Sequence, residues 1–157
     1  MKNDRIRKNS LRLRGYDYSR TGIYFVTICV KNGEMMFGQV IDGKMQLSEY
    51  GKVAQDELRK TASMLNVDLG ASIIMPNHAH FIISLNKPQP VGADMNPPDL
   101  SSIVRAYKAA VTRRIGFSLW QRSFFDNILH DDDERRCIEE YIFKNPATWE
   151  KDRFYFI

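Results

Sequence analysis

Cysteine is scarce. Cys29 and Cys137 are the only two in 157 residues, and they stand far apart with no Cys-x-x-Cys pair. A disulfide scaffold and a cysteine-built zinc site are therefore poor expectations, and a reducing cytoplasm is the natural setting. Long apolar runs are missing too. None approaches the roughly 18 residues a membrane helix needs, which excludes a transmembrane reading. The N-terminus is charged from Lys2 onward and has no apolar signal-peptide stretch, so no secretory signal is expected. Histidine occurs three times, and no internal repeat or low-complexity tract is visible.

What remains is ordinary globular material. Apolar residues make up 43% and charged residues 27% of a chain long enough for one domain with a real core. The net charge of +4 is unevenly spread. Residues 1–20 carry seven Lys/Arg against two Asp, and residues 101–130 carry five basic side chains against Asp126. The rest of the chain is net acidic. Two separated basic stretches suit a polyanion such as nucleic acid, the alternative being a solvated arm and a solvated helix face.

Periodicity gives the element order. Residues 1–20 read as a basic arm, and 21–157 as a single domain. Ile23 to Val30 is β-branched and aromatic and reads as a buried strand. Met36 to Leu47 is a hairpin pattern around Asp42-Gly43. Ser48 to Leu65 has helical spacing with Ser48 as N-cap. Val67 to Met75 and His78 to Leu85 read as strands, and the proline-rich stretch Asn86 to Asp99 as a loop. Leu100 to Ile115 predicts a helix stopped by Gly116, Trp120 to Leu129 a segment that includes a strand, and Asp132 to Asn145 a last helix ended by Pro146. With the hairpin set aside as an insertion, the order is βαββαβ plus a C-terminal helix. That is the ferredoxin-like α+β pattern: an antiparallel sheet with helices on one side and the other side open to a ligand.

Two segments carry candidate chemistry. In His78-Ala79-His80-Phe81-Ile82-Ile83-Ser84-Leu85, strand alternation puts Ala79, Phe81, Ile83 and Leu85 on one apolar face. His78 and His80 share the opposite face, near the sheet surface after the Pro76-Asn77 turn, and can hold one divalent ion. The plain alternative is two polar residues facing solvent. On the last helix, Tyr141 and Asn145 are four apart and reach the same side. A tyrosine can serve as a covalent nucleophile if a metal or base offsets its pKa of about 10. The alternative is a core tyrosine, and Tyr107 is the first other phenol to check.

Taken together, these segments resemble a known family. Met75-Pro76-Asn77-His78-Ala79-His80 resembles the His-hydrophobic-His motif of the HUH endonuclease superfamily, and Tyr141-Ile142-Phe143-Lys144-Asn145-Pro146 the tyrosine motif of its single-tyrosine transposases. Arg14-Gly15-Tyr16-Asp17-Tyr18, Tyr24-Phe25-Val26-Thr27 and Leu119-Trp120-Gln121-Arg122-Ser123-Phe124-Phe125-Asp126 resemble segments of the REP-associated tyrosine transposases. The resemblance runs from about Leu13 to Trp149.

It implies a metal-dependent endonuclease and strand transferase acting on single-stranded, hairpin-forming DNA of the repetitive extragenic palindromic (REP) type. Tyr141 would attack a phosphodiester, form a 5′-phosphotyrosine link and release a 3′-hydroxyl. His78, His80 and Asn145 would bind Mg²⁺ or Mn²⁺. The position of Asn145 often holds Gln in related transposases. Arg5, Arg7, Lys8, Arg12 and Arg14 of the arm would pair with phosphates, as would Arg105, Lys108, Arg113, Arg114 and Arg122. Tyr16 and Tyr18 could stack on unpaired bases. The expected partners are DNA and no membrane, as a monomer or homodimer, in the cytoplasm and on the nucleoid when DNA is bound. Two rival readings stand: a catalytically silent DNA-binding module of the same fold, and an unrelated hydrolase that uses His78 and His80 with water as nucleophile.

Overall fold

The computed structural model describes residues 22–85 and 98–155. The chain runs through β1 (Gly22–Cys29), a hairpin of β2 (Gly38–Ile41) and β3 (Lys44–Leu47), α1 (Glu49–Met64), β4 (Asp68–Met75), β5 (His78–Leu85), α2 (Leu100–Ile115), β6 (Phe125–Leu129) and α3 (Asp132–Lys144). Short 3₁₀ turns at Lys31–Gly33 and Trp149–Lys151 were not foreseen. The basic-arm residues Arg5, Arg7, Lys8, Arg12 and Arg14, with Tyr16 and Tyr18, lie outside the described residues.

Four strands form one antiparallel sheet in the order β4-β5-β1-β6. With β2 and β3 pairing separately, this is the ferredoxin-like arrangement the pattern predicts. Local chemistry matches locally. Asp42 and Gly43 sit at φ 52° and 72°, as a tight two-residue hairpin turn requires. The Ser48 hydroxyl accepts from the Gly51 amide at 3.1 Å and caps α1. Gly116, at φ 97°, closes α2 in the left-handed conformation. Asp131 caps α3 by accepting from the Glu134 amide, and three acids in the first turn complement the helix dipole.

Alternation along β1 and β5 builds two cores. Tyr24, Val26 and Ile28 with Ala79, Phe81 and Ile83 face α1 and α2. Phe25 and Ile82 face the other way, where Ile142 of α3 packs on them. Cys29 and Met75 on that same side are covered by Trp149 and Phe154 of the C-terminal segment. The expectation of helices on one side and an open far side is therefore corrected. β1 and β5 are nearly continuous apolar runs, and such strands are covered on both faces. No helix among the described residues is long and apolar enough to cross a membrane.

Candidate functional site

The site lies on the sheet face under α3. The strand β5 starts directly after a two-residue turn, Pro76-Asn77, whose backbone is pinned: Phe37 N donates to Pro76 O and Val30 N donates to Asn77 O, each at 2.9 Å. His78 and His80 then point to the same face, paired in register with Cys29 and Thr27 of β1. They are not near the surface as expected. They are 0% and 1% exposed, because the segment after α3 closes over them. The ring of Phe154 stacks on His78 at 4.5 Å, and Trp149 lies 5.9 Å away.

The two imidazoles meet through their Nε2 atoms at 3.0 Å. Burial pushes the pKa of His78 and that of His80 below the ordinary histidine value, so both rings are neutral at pH 7. Neutral imidazoles keep lone pairs for a cation. Tyr141 reaches the same place from α3, with its ring 5.4 Å from His80 and edge-on to Phe25 at 6.2 Å. Its phenol donates to Oδ2 of Asp152 at 3.3 Å. Burial first, then the Asp152 charge, raises the phenol pKa above its usual value.

Asn145 is fully buried, one turn after Tyr141. Its Nδ2 donates to Asp152 Oδ2 at 2.5 Å, and its Oδ1 meets no hydrogen bond of good geometry among the described residues. Asn145 is nonetheless close enough to the His78 ring to favour that ring's protonation, after the larger pull of Asp152. Asp152 is the residue the sequence reading missed. Ligand atoms of His78, His80 and Asp152 all lie within 4.8 Å of one another. The signal that could have found it is the run Trp149 to Tyr155, whose aromatic residues need a surface to bury against.

These residues fit a divalent cation. The two Nε2 atoms face each other at 3.0 Å, and ligand atoms of both histidines and of Asp152 lie within 4.8 Å of one another. Two imidazoles and a carboxylate suit a first-row divalent metal such as Mn²⁺ better than oxygen-preferring Mg²⁺. The orphaned Oδ1 of Asn145 offers a further oxygen beside His78. Cys29 adds no charge here, since burial pushes its thiol up to about 12.

The basic side chains in and after α2 divide into exposed and engaged groups. α2 packs on the sheet face opposite the histidines. Arg105, Arg113 and Arg122 are exposed. Arg114 is engaged with Asp56 and Glu57 of α1, at 2.6 and 2.8 Å. Lys108 donates to the carbonyls of Gln121 and Ser123, and burial lowers its pKa to about 8. On the histidine side, the Arg153 guanidinium lies over Phe154 at 4.7 Å. Tyr107 is removed as an alternative nucleophile. It is fully buried on the α2 side, and its hydroxyl donates to Ala54 O at 2.9 Å.

No family model matches the chain. An uncharacterized protein of Haemophilus influenzae is 35% identical over 94% of this chain and 93% of its own length. Among solved structures, a REP-associated tyrosine transposase bound to a REP hairpin is similar with a TM-score of 0.66 and 21% identity, over 88% of this chain and 74% of that one. A Deinococcus radiodurans protein described as a candidate transposase gives a TM-score of 0.51 and 23% identity, over 85% and 95%. The chain belongs to one family with the Haemophilus influenzae protein, and its fold is that of the REP-associated tyrosine transposases.

Proposed function

We propose that the chain is a metal-dependent tyrosine transposase that nicks and rejoins single-stranded, hairpin-forming DNA. The observation that carries the reading is the convergence of Tyr141 with His78 and His80 on one sheet face, the phenol ring 5.4 Å from His80. The fold shared with a transposase bound to a REP hairpin adds weight. His78 and His80, with Asp152 and Asn145 as oxygen donors, would hold Mn²⁺ or Mg²⁺. A divalent ion in such a site supplies Lewis acidity at the scissile phosphate and offsets the charge that builds there.

The chain's own groups do the rest. Tyr141 Oη attacks phosphorus, and Asp152, already its hydrogen-bond acceptor, takes the phenol proton. The bond from phosphorus to the 3′-oxygen breaks and that oxygen takes up the proton from Asp152, leaving a 5′-phosphotyrosine and a 3′-hydroxyl. Attack by a 3′-hydroxyl reverses the step and returns the proton to Tyr141. Exposed Arg105, Arg113 and Arg122, with the arm residues Arg5, Arg7, Lys8, Arg12 and Arg14, would take phosphates along the strand. Because both histidines are sealed, a phosphate reaches them only when the segment carrying Trp149 and Phe154 moves aside.

The same closure favours one rival, a DNA-binding module of this fold that no longer cuts. Incubation with hairpin DNA and Mn²⁺, followed by denaturing electrophoresis, separates the two. The transposase reading expects a protein–DNA adduct that is lost with chelator; retained DNA binding with no adduct supports the silent module.

A further inference from the structure

We infer that Thr27 and Asn77 set the tautomers of the histidine pair, and that His80 reverses its tautomer when a divalent cation binds. The reversal rests on the cation site proposed above; the tautomers of the metal-free pair do not.

Asn77 fixes one end. Its Nδ2 donates to the carbonyl oxygens of Phe154 at 2.7 Å and Gly33 at 3.4 Å. Carbonyl oxygens only accept, so the amide has one allowed orientation, and its Oδ1 faces Nδ1 of His78 at 2.7 Å. An amide oxygen also only accepts, so the proton sits on Nδ1 of His78. In the neutral ring, Nε2 then carries the lone pair.

The remaining protons follow in sequence. Nε2 of His78 can only accept, so its 3.0 Å contact is a hydrogen bond only if Nε2 of His80 carries a proton. Nδ1 of His80 is then an acceptor, and the Thr27 hydroxyl at 2.7 Å donates to it. All donors point one way, from Thr27 through His80 and His78 to Asn77 and the carbonyls of Gly33 and Phe154. The metal-free pair is satisfied throughout, as buried polar groups require.

A cation between the rings needs lone pairs on both Nε2 atoms. His78 already presents one. His80 must lose its Nε2 proton to solvent and take one from solvent at Nδ1, so no net proton is released from the pair. Oγ1 of Thr27 must change from donor to acceptor. A hydroxyl can do both, whereas a side-chain carboxylate or amide oxygen at that place could not. Thr27 and Asn77 are thus positioning residues, one adjustable and one fixed.

The test is long-range ¹H–¹⁵N correlation spectroscopy of the full chain with labelled histidine, metal-free and with Zn²⁺ as a diamagnetic probe. The expected metal-free pattern is a protonated Nδ1 on His78 and a protonated Nε2 on His80. With Zn²⁺ both rings should carry Nδ1 protons. Thr27→Val should weaken Mn²⁺ binding by about 10- to 100-fold, the usual range for losing a ligand's outer partner, and Thr27→Ser should restore it. Asn77→Ala should give His78 mixed tautomers; should that variant fail to fold, the Thr27 pair decides. A metal-free His80 protonated at Nδ1, or Thr27→Val that binds Mn²⁺ as wild type does, would overturn the inference. Failure of the wild type to bind either metal sinks the cation site and with it the reversal, whereas a bound ion with His80 unreversed sinks the reversal alone.

Discussion

Tyr141 donates its phenol to the carboxylate of Asp152, and the same Oδ2 accepts from the amide of Asn145. The candidate nucleophile is thereby tied to the segment that covers the histidines. The negative charge of Asp152 also disfavours tyrosinate, adding to the larger effect of burial. Asp152→Asn removes that charge and should lower the phenol's pKa toward the ordinary value of about 10 without passing it. Absorbance titration of the tyrosinate band, read as the difference from Tyr141→Phe, measures the shift. No downward movement would separate the two groups.

Stability of the metal-free protein should depend on pH through the histidine pair. In the unfolded chain a histidine protonates below about pH 6.5, while burial holds His78 and His80 neutral to lower pH in the fold. Between those ranges the unfolded chain binds more protons. The contribution of the pair is therefore fully present above about pH 7 and is lost as pH falls below about 6.5. The slope approaches about 1.4 kcal/mol per pH unit for each histidine. Urea unfolding across that range measures it, and His80→Gln should flatten the curve.

Phe154 stacks on His78 and is 3% exposed. Phe154→Ala should cost about 3–5 kcal/mol of stability and speed the entry of Mn²⁺, read by stopped-flow quenching of tryptophan fluorescence. Slower or unchanged entry would mean that the ring does not gate the histidines.

The cations of α2 should separate by role. Arg114 is tied to Asp56 and Glu57, so Arg114→Ala should lower the melting temperature slightly and leave DNA affinity unchanged. Arg105→Ala with Arg113→Ala should leave folding intact and reduce the salt dependence of DNA binding by up to two phosphate contacts. Equal effects from both sets would dissolve the distinction.

Much of this site was legible in the sequence because it obeys short-range rules. The two-residue period of a strand put His78 and His80 on one face, and the helical repeat put Tyr141 beside Asn145. Asp152 was not legible. It follows Pro146 in a segment with no period, and its place is set by Trp149 and Phe154 packing on a distant sheet. The burial of the histidines was missed for the same reason. Assigning α3 to a sheet face requires long-range packing, although the doubly apolar β1 and β5 already called for cover on both sides. The pairing of Arg114 with Asp56 and Glu57 was likewise out of reach, since it depends on how α1 packs beside α2.

The most direct measurement is identification of the residue that becomes linked to DNA. The protein is incubated with hairpin DNA and Mn²⁺, digested with protease and nuclease, and the modified peptide is sequenced by mass spectrometry. The account predicts a nucleotide attached through its 5′-phosphate to Tyr141, absent in Tyr141→Phe and strongly reduced in His80→Ala. A link at another residue, or cleaved DNA with no linked peptide, would contradict it.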